Sequence, residues 1–490
     1  MYNVKKLNQL IKDIKIKEII GNSERIVSGL SLDSRNIDKG YCFFAVSGTK
    51  QDGHLFAKDA IKRGATTILC QHPLEEEENN KDITQIVVED TQAAMALMAE
   101  AFYDYPSRKM KVVGVTGTNG KTTIATLLYD LVRKLGYKAG LISTVIYKID
   151  ERSITSTHTT PDAIRLSSMM NEMVQAGCTF CFMECSSHAI SQSRIDGINF
   201  DGALYTNLTH DHLDYHHTYQ EYIKAKKRFF DILSPQAFAL VNQDDKNGMV
   251  MLQNTKAKKY TLALKSLADF NCKILEEIPE GMLLKIDGQE VWTKLIGRFN
   301  AYNILTIYAT ALLLGFDKSS VLQVISTLNA VNGRMENCIS PNGIRAVIDY
   351  AHTPDALENV LLTLREIRKK EERIITICGC GGDRDKTKRP EMAHIAQEMS
   401  DMVILTSDNP RTENAEDIIR DMEAGLKNKD SYLRISDREM AIKTAITLAK
   451  PKDIILIAGK GHEDYQIIGT EKFHFSDKEC VEKYFSLIKA

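Results

Sequence analysis

The feature that most constrains the fold of this chain is a glycine-rich turn between an apolar run and a helical pattern. The segment from Val112 to Val132 has the sequence VVGVTGTNGKTTIATLLYDLV. A turn of this kind, placed after a strand and before a helix, directs backbone N–H groups and the helix N-terminus at phosphate oxygens. The segment therefore predicts an α/β domain that binds a nucleotide at the start of this helix.

Seven consecutive residues of the turn would provide the phosphate contacts. The Lys121 ammonium would neutralise the β- and γ-phosphates, and the Thr122 hydroxyl would reach Mg²⁺. The usual pattern has another glycine where this chain has Val115, so the turn is a shorter GxxGKT variant. The predicted phosphate-binding residues are Gly117, Thr118, Asn119, Gly120, Lys121, Thr122 and Thr123.

The rest of the chain alternates short apolar strand patterns with amphipathic helical patterns, which is typical of parallel α/β sheets. A chain of 490 residues is too long for one hydrophobic core, so we expect several domains. Tyr105-Pro106-Ser107 ends one helical pattern, and Asn332-Gly333 ends another. The predicted domains are residues 1–107, 108–333 and 334–490.

Composition and charge exclude several classes of protein. The formal net charge of -2 gives no overall attraction to nucleic acid. The chain lacks the apolar core of a signal peptide and any run of about 18 apolar residues that would span a membrane. We therefore expect a cytoplasmic protein without membrane insertion.

The closely spaced Cys178, Cys181 and Cys185 lie in an apolar run and are expected to be buried thiols.

Two polar clusters that follow apolar strand patterns suggest metal binding. Glu184 ends the apolar run in FMECSSH, where a carboxylate can hold a metal near the phosphates or, alternatively, cap a helix. The second cluster is dense in histidine and aspartate, which suggests another metal or phosphate site unless these are surface residues. It comprises His210, Asp211, His212, Asp214, His216 and His217.

Taken in order, six short motifs of this chain resemble those of the Mur ligases, the ATP-dependent amide-bond synthetases of peptidoglycan precursors. The motifs are GTNGKTT, MECSSH, TNLTHDHLDYH, GRFNAYN, GRME and DYAHTPD. The stretches LDSRNIDKG, RPEM, DNPR and GKGHEDYQ resemble the members that add the third residue of the stem peptide. The resemblance implies an N-terminal α/β domain for the UDP end, a central P-loop ATPase domain with a parallel sheet, and a C-terminal Rossmann-like domain for the incoming amino acid.

The resemblance also implies a reaction. The carboxylate of UDP-N-acetylmuramoyl-L-alanyl-D-glutamate attacks the γ-phosphate of ATP, and the amine of meso-diaminopimelate then displaces phosphate from the acyl phosphate. Such a transfer requires neutralised phosphates, for which Lys121 and two Mg²⁺ ions are expected. The expected partners are these three small molecules, and the chain is expected to act as a monomer.

By the same resemblance, one metal is held by Glu184 and His212 with the help of Thr122, and Lys226 is carbamylated. A carbamate would supply an anionic oxygen ligand where an ammonium would repel Mg²⁺. Without the resemblance, Lys226 would simply be one of four basic residues on an exposed helix. The catalytic residues implied are Lys121, Glu184, His212 and Lys226.

The resemblance places further residues around the nucleotide. Asn300 and Asn303 would lie on the adenine side, although Asn300 could alternatively cap the following helix. Arg334 would face the phosphates and Asp349 the ribose. His352 belongs to the same segment, by which the C-terminal domain would close over ATP.

The nucleotide-sugar substrate would contact two groups of residues. At the uridine end the resemblance implies Leu32, Ser34, Thr49, Lys50 and Gln51, which would otherwise belong to ordinary loops. At the diphosphate and muramoyl part it implies Thr159, Thr160, Ser186, Gln192 and Arg194. An arginine suits a diphosphate because its planar fork donates two hydrogen bonds at once.

Diaminopimelate carries a second amino-acid head, so its pocket requires a cation for the distal carboxylate and an anion for the distal ammonium. Arg389 and Arg411 are expected to provide the cations, and Glu463 the anion. Relatives that add lysine typically lack arginine at the position of Arg411, although DNPR is also an ordinary turn pattern. The full predicted set is Arg389, Asp408, Asn409, Pro410, Arg411, Thr412, Gly459 and Glu463.

The sequence leaves three alternatives open. The same ligase could add L-lysine, or the chain could be a ligase similar to folylpolyglutamate synthetase, which lacks a counterpart of the N-terminal DSR domain and of DNPR. In a different class, a P-loop ATPase regulator would bind cell-wall intermediates without ligation. Its ATP turnover would not depend on the presence of both other substrates.

Overall fold

The computed structural model describes residues 4–48, 51–74, 82–209, 213–216, 218–428 and 431–488. These residues form three α/β units, each built on its own sheet. Three of the predicted site residues, Thr49, Lys50 and His212, lie outside the described residues.

The N-terminal unit contains a five-stranded sheet, a separate pair of short strands and helices beside them. Its strands are β1 (Lys5–Lys6), β2 (Ile16–Ile20), β3 (Ile26–Val27), β4 (Gly29–Ser31), β5 (Tyr41–Phe44), β6 (Thr67–Cys70) and β7 (Thr84–Val88). Its helices are α1 (Leu7–Leu10), α2 (Ala57–Arg63) and α3 (Thr91–Phe102). The sheet has the order β2-β7-β6-β5-β4 and is parallel except for the pair β2–β7, while β1 pairs with β3.

The central unit is built on the longest sheet. Its strands are β8 (Lys111–Thr116), β9 (Ala139–Ile142), β10 (Ile146–Ile149), β11 (Arg152–Thr155), β12 (Phe180–Glu184), β13 (Gly202–Tyr205), β14 (Phe238–Asn242), β15 (Lys258–Ala263), β16 (Phe270–Ile278), β17 (Gly281–Ile286) and β18 (Gln289–Thr293). Its helices are α4 (Lys121–Lys134), α5 (Ala163–Gln175), α6 (Ser187–Ser191), α7 (Leu213–His216), α8 (Tyr219–Asp231), α9 (Gly248–Met251), α10 (Arg298–Leu313) and α11 (Lys318–Ile325). The sheet order is β11-β10-β9-β12-β8-β13-β14-β15-β16-β17-β18.

The middle of this sheet places the glycine-rich turn beside Glu184. Strand β8 lies between β12 and β13, and the three strands run parallel. Glu184 is the register partner of Val115, and Tyr205 is the partner of Thr116, so the carboxyl ends of the strands meet at one edge. Open parallel sheets bind ligands outside this edge.

The edges of the central sheet differ from the predicted parallel arrangement. Strands β9, β10 and β11 pair antiparallel, as do β16, β17 and β18. The turn between β17 and β18 consists of Asp287 and Gly288, whose φ angles are +45° and +85°. Two residues with positive φ suit a tight hairpin turn, and connections this short cannot form a parallel crossover.

The C-terminal unit has a six-stranded sheet. Its strands are β19 (Glu336–Ile339), β20 (Arg345–Asp349), β21 (Ile374–Cys378), β22 (Met402–Leu405), β23 (Tyr432–Arg434) and β24 (Ile454–Ala458), followed by the separate hairpin β25 (Tyr465–Ile468) and β26 (Glu471–His474). Its helices are α12 (Pro354–Ile367), α13 (Lys388–Met399), α14 (Ala415–Glu423), α15 (Arg438–Leu448) and α16 (Asp477–Phe485). The order is β19-β20-β24-β21-β22-β23, parallel except for β19.

Buried apolar side chains cover the faces of all three sheets. The cysteines Cys178, Cys181 and Cys185 belong to the core of the central unit, as predicted. Among the helices that the structure describes, none is long and apolar enough to cross a lipid bilayer.

Candidate active site

The glycine-rich turn is fixed by the loop that follows β13. The backbone N–H groups of Thr118 and Asn119 donate to the carbonyl and side-chain oxygens of Asn207, each at 2.9 Å. Gly117 has a φ of +146°, and a Cβ atom there would lie 1.9 Å from Thr206 Oγ1. Only glycine fits this position, because any side chain would meet Thr206.

The Lys121 ammonium lies over the turn that it follows. Its Nζ donates to the carbonyl oxygens of Gly117 at 2.9 Å and of Thr118 at 2.7 Å. The first residue of α4 therefore holds a positive charge where the turn and the helix N-terminus gather their N–H groups. This is the arrangement of a phosphate site.

A cavity of about 350 Å³ opens beside the turn, between the central and C-terminal units. Residues predicted for ATP line it from both units: Asn119, Gly120, Thr123, Asn300, Asn303, Arg334, Asp349 and His352. Its wall also includes residues that the sequence did not single out, among them Asn242, Asp245, Lys265, Tyr350, Asp355 and Asn359. The structure therefore brings together residues predicted to bind ATP that are more than 200 positions apart in the chain.

The alternative function of Asn300 as a helix cap is wrong. Helix α10 starts at Arg298 with Gly297 as its N-cap, so Asn300 lies within the first turn. Its Nδ2 donates to the Ile296 carbonyl at 2.8 Å, and its Oδ1 accepts from Asn303 Nδ2 at 2.9 Å. A capping side chain would instead accept from a backbone N–H group.

Asp349 and Arg334 form the C-terminal wall of the cavity. Asp349 ends β20, and its carboxylate accepts from the backbone N–H groups of Met335 at 2.7 Å and Ala351 at 2.8 Å. Burial raises the pKa of Asp349, while the nearby Arg334 opposes that shift. The Arg334 guanidinium stacks 4.6 Å from the Tyr350 ring centroid and donates to Thr122 Oγ1 at 3.2 Å.

Glu184 fits a metal site. Its side chain is fully buried, and its two oxygens accept hydrogen bonds from the backbone N–H and the hydroxyl of Thr144 at 2.7 and 3.2 Å. Within the described part of the chain, no lysine, arginine or histidine forms an ion pair with it. Because buried charges are paired or bind metals, this carboxylate suits a cation at the edge of the sheet.

Lys226 is a buried residue rather than an exposed one. Its side chain is 1% exposed on the inner face of α8. Its Nζ donates to the Gly117 carbonyl at 2.8 Å and lies 4.5 Å from the Tyr222 ring centroid. Lys226 therefore touches the phosphate turn, which the pattern of basic residues alone did not indicate.

Of the histidine-rich cluster, only part is described. His216 ends α7 and is buried, with its ring 5.7 Å from that of His188 and 5.2 Å from that of Tyr222. The predicted metal ligand His212 lies outside the described residues, as do His210, Asp211, His217 and the side chain of Asp214.

A second cavity, of about 320 Å³, adjoins the first and lies at the carboxyl edge of the C-terminal sheet. Tyr350 and His352 line both cavities and separate them. Five residues of the predicted diaminopimelate set line the second cavity: Asp408, Asn409, Arg411, Gly459 and Glu463. The central unit contributes Thr159, which was predicted for the muramoyl part, and His188.

The prediction for Arg389 needs correction. Its side chain is completely buried beside α14, and its guanidinium donates to Glu413 at 2.8 and 3.0 Å and to Asp421 at 2.8 Å. The cations that line the cavity from the same segment are Arg384 and Lys388. The GDRDKTKR stretch contains four arginines and lysines, and only the fold determines which of them face the cavity.

Pro410 and Thr412 also lie outside the lining of this cavity. The Thr412 hydroxyl donates to Asp383 Oδ1 at 2.7 Å instead. Arg411 has a φ of +50°, and its Nη1 donates to the Gly382 carbonyl at 2.8 Å. The positive φ of Arg411 thus bends the turn so that the guanidinium lines the cavity. The neighbouring Pro410 and Thr412 do not line it.

One hydrogen-bonded cluster on the central unit contains four of the residues predicted for the diphosphate and muramoyl part: Thr160, Ser186, Gln192 and Arg194. Arg194 donates to Gln192 Oε1 at 2.6 Å and to the Thr160 carbonyl at 2.8 Å. The Ser186 N–H donates to Thr160 Oγ1 at 3.2 Å, and burial lowers the pKa of Arg194. This cluster presents a fixed cation beside the strand end that carries Glu184.

The residues predicted for the uridine end lie on the N-terminal unit. Leu32 is 45% exposed, Ser34 is buried at the start of a short helical turn, and Gln51 is exposed. Before and after the undescribed residues 49 and 50, the Gly48 N–H donates to the Gln51 carbonyl at 2.9 Å.

Family comparisons match most of the chain. The model described as "Mur ligase family, catalytic domain" matches residues 26–103, "Mur ligase middle domain" matches residues 115–311, and "Mur ligase, glutamate ligase domain" matches residues 333–461.

Curated relatives match at high identity over nearly their full length. A protein of Parabacteroides distasonis is 53% identical over 482 residues, covering 98% of this chain and 99% of its own. A protein of Cytophaga hutchinsonii is 52% identical over 479 residues, covering 97% and 98%. Both are named UDP-N-acetylmuramoyl-L-alanyl-D-glutamate–2,6-diaminopimelate ligase.

Solved structures share the fold over most or all of the chain. A structure of a UDP-N-acetylmuramoyl-L-alanyl-D-glutamate–2,6-diaminopimelate ligase is 32% identical, with a TM-score of 0.70 and 99% of both chains covered. A Mycobacterium tuberculosis folylpolyglutamate synthase is 16% identical, with a TM-score of 0.62, and covers 76% of this chain and 93% of its own. At that identity the second structure shows a shared fold alone.

Proposed function

This chain belongs to the Mur ligase family, and we propose that it is the ATP-dependent ligase that joins meso-diaminopimelate to UDP-N-acetylmuramoyl-L-alanyl-D-glutamate. One observation supports meso-diaminopimelate as the amino acid that is added. The second cavity combines the cations Arg384, Lys388 and Arg411 with the acids Asp408 and Glu463, directly beside the nucleotide cavity.

These charges suit the distal head of diaminopimelate. Arg411 and Arg384 can bind its carboxylate, because a guanidinium matches a carboxylate in shape and charge. Glu463 can accept the distal ammonium. L-Lysine has the distal ammonium but no distal carboxylate, so the two guanidinium groups of this cavity would bind no anionic group on the distal end of the substrate.

The two cavities are arranged for a two-step transfer. The peptide carboxylate attacks the γ-phosphate and forms an acyl phosphate with loss of ADP. The amine then forms the amide bond, and the carbon–oxygen bond to phosphate breaks. Lys121 and Arg334 would stabilise the charge on the phosphates, while Tyr350 and His352 border both reactants and limit access of water.

ATP chemistry of this kind uses Mg²⁺, and the chain has residues that fit the ion. We propose that Glu184 and Thr122 hold it, with His212 and a carbamylated Lys226, and that two ions take part. When bound, Mg²⁺ would neutralise the phosphate oxygens. The buried position of Lys226 against the glycine-rich turn supports this role.

The Lys226 proposal predicts rescue of a defective variant. Lys226→Ala should abolish ligation, and a short carboxylate added to the buffer should restore part of it by replacing the missing anionic oxygens. The comparison is phosphate release with and without the added acid. Lys227→Ala, one residue along α8, should keep its activity and show no response. Absence of any rescue would leave the carbamate without support.

The remaining assignments complete the proposal. The uridine end would contact Leu32, Ser34 and the 49–51 segment, and the muramoyl part would contact the cluster around Arg194. We propose domains at residues 1–107, 108–333 and 334–490, a monomer as the active form, and the cytoplasm as its location, since ATP and nucleotide-linked precursors are found there.

The first experiment measures phosphate release by the purified protein with ATP, Mg²⁺ and UDP-N-acetylmuramoyl-L-alanyl-D-glutamate. Three reactions are compared: with meso-diaminopimelate, with L-lysine and without amino acid. Turnover with diaminopimelate alone is expected. Turnover with lysine would refute the assignment of the cavity, and equal turnover in all three would favour an ATPase without ligation.

A further inference from the structure

One buried cation beneath the amino-acid cavity has no role in the function described so far. Lys460 lies between Gly459 and Gly461, and its side chain is 0% exposed. It is not part of the cavity lining but lies behind it. Its Nζ is 3.2 Å from Glu463 Oε2, 3.3 Å from Asn409 Oδ1 and 3.9 Å from Asp408 Oδ1.

These contacts fix the orientation of Glu463. Its Oε2 accepts hydrogen bonds from Lys460 and, at 2.8 Å, from Asn409 Nδ2. Its Oε1 is 3.5 Å from the Tyr350 hydroxyl, which borders the cavity. Oε2 of Glu463 is therefore held by Lys460 and Asn409, and Oε1 lies on the side of Tyr350, which borders the amino-acid cavity.

The same ammonium balances two acids. Burial and the neighbouring Asp408 raise the pKa of Glu463, and Lys460 acts in the opposite direction. Two carboxylates this close in a buried site tend to retain a proton unless a cation lies between them. A protonated Glu463 would lose its attraction for an ammonium group.

We propose that Lys460 is a positioning residue that gives the amino-acid cavity its selectivity for a substrate with an ammonium group on the distal carbon. It acts by holding Glu463 ionised and aimed into the cavity. The inference rests on the proposed function of this cavity, and it adds a residue that does not itself touch the substrate.

Other charged groups also face Glu463. On the protein side these are Asp408, Lys460, Tyr350 and Tyr465. Across the cavity lie the cations Arg384, Lys388 and Arg411, together with Asp385, His188 and His352. The three cations would bind the distal carboxylate of the substrate. Among the residues that the structure describes, Lys460 is the cation that forms an ion pair with Glu463.

The test compares meso-diaminopimelate with L-2-aminopimelate, which differs only by lacking the distal ammonium. The preference is the ratio of kcat/KM for the two compounds in the phosphate-release assay. At about pH 7, Lys460→Met should reduce this preference roughly 10- to 150-fold, the range for a hydrogen bond to a charged group. Raising the pH to about 9 should restore part of it, because Glu463 ionises again.

A control variant and a second background separate this role from a general loss of structure. Lys370→Met, at an exposed position after α12, should keep the wild-type preference at every pH. In a Glu463→Gln background, Lys460→Met should cause no further loss of preference. An equal loss of activity with both compounds, without pH dependence, would overturn the proposal.

The wild-type protein provides a test that does not depend on folding of a variant. If Lys460 keeps Glu463 ionised, the preference should be constant from about pH 8 down to about pH 6. A steep fall over that range would overturn the inference. Failure of the wild type to use diaminopimelate at all would instead refute the proposed function.

Discussion

At the scale of single residues, Arg411 is the side chain on which the choice of amino acid depends most directly. Arg411→Ala should raise KM for meso-diaminopimelate about 10- to 150-fold, because a hydrogen bond to a charged group contributes roughly 1.5 to 3 kcal/mol. The discrimination against L-lysine should fall by a similar factor. Steady-state kinetics with both amines measures the change.

The control for Arg411 lies nine positions further along. Arg420 is exposed on α14, where it pairs with Asp417. Arg420→Ala should leave KM for both amines unchanged within about twofold, since exposed ion pairs contribute little. Equal KM values for wild type and Arg411→Ala would place the distal carboxylate elsewhere.

Substitutions of Arg384 and Arg389 should have opposite effects on KM for diaminopimelate and on the free energy of unfolding. Arg384→Met should raise KM for diaminopimelate with little effect on folding, because Arg384 lines the cavity. Arg389→Met should lower the free energy of unfolding by about 2 to 4 kcal/mol, because it leaves Glu413 and Asp421 without their buried partner. Its KM should stay within about twofold of wild type, as measured on the folded protein.

The Arg389 ion pairs also predict a pH dependence. The Arg389 guanidinium lowers the pKa of Glu413 to about 2. A lowered pKa stabilises the fold above the unfolded-state value of about 4.3, and that stabilisation is lost as the pH falls towards 2. Urea unfolding between about pH 5 and pH 2.5 should show this loss in wild type and a smaller loss in Arg389→Met. If the free energy of unfolding fell by the same amount with pH in both proteins, the ion pair between Arg389 and Glu413 would be contradicted.

At the scale of secondary-structure elements, the turn between β8 and α4 depends on Gly117. Gly117→Ala would place a methyl group 1.9 Å from Thr206 Oγ1 and force an L-residue to keep a φ of +146°. We expect ATP affinity to fall at least about tenfold, since strain of this kind costs about 1 to 3 kcal/mol or distorts the turn. Calorimetric titration of the nucleotide measures it.

Gly136 provides the matched control. It has a φ of +90°, but no heavy atom lies within 4 Å of a Cβ built there. Gly136→Ala should therefore cost stability through its backbone alone and leave ATP affinity unchanged. Equal affinities for wild type and Gly117→Ala would contradict the proposed phosphate site.

At the scale of the whole molecule, the turn is tied to the C-terminal unit by Asp355. Its Oδ2 accepts a hydrogen bond from Asn119 Nδ2 at 2.8 Å, and burial raises its pKa. Asp355→Ala should raise KM for ATP roughly fivefold, because a hydrogen bond between the two units contributes about 1 kcal/mol. Without nucleotide, small-angle scattering of Asp355→Ala should show a larger radius of gyration than that of the wild-type protein.

A neighbour on the same helix tests whether this effect is specific. Glu358 is exposed one turn further along α12, so Glu358→Ala changes the charge of the helix without touching the turn. It should preserve both KM for ATP and the scattering profile. If Asp355→Ala also preserved them, the contact would have no role in closing the two units.

Much of the fold followed from local patterns. Residues close together in the chain determine the glycine-rich turn, the buried strands and the motifs, because backbone geometry and periodicity act directly on neighbours. The Asp287-Gly288 pair is a local hairpin signal of the same kind. The three-domain architecture followed from the resemblance in motifs, and the comparisons support it.

The sequence by itself determined that this chain has a glycine-rich turn between a strand and a helix, a carboxylate at the end of a later strand and an arginine-bearing turn late in the chain. Only the tertiary structure decided which charges meet. Arg384 faces the cavity while Arg389 is buried against α14, and Lys460 lies behind Glu463. The reason is physical: side-chain direction depends on the packing of elements distant in sequence, and neighbouring residues of equal charge look alike until that packing is known.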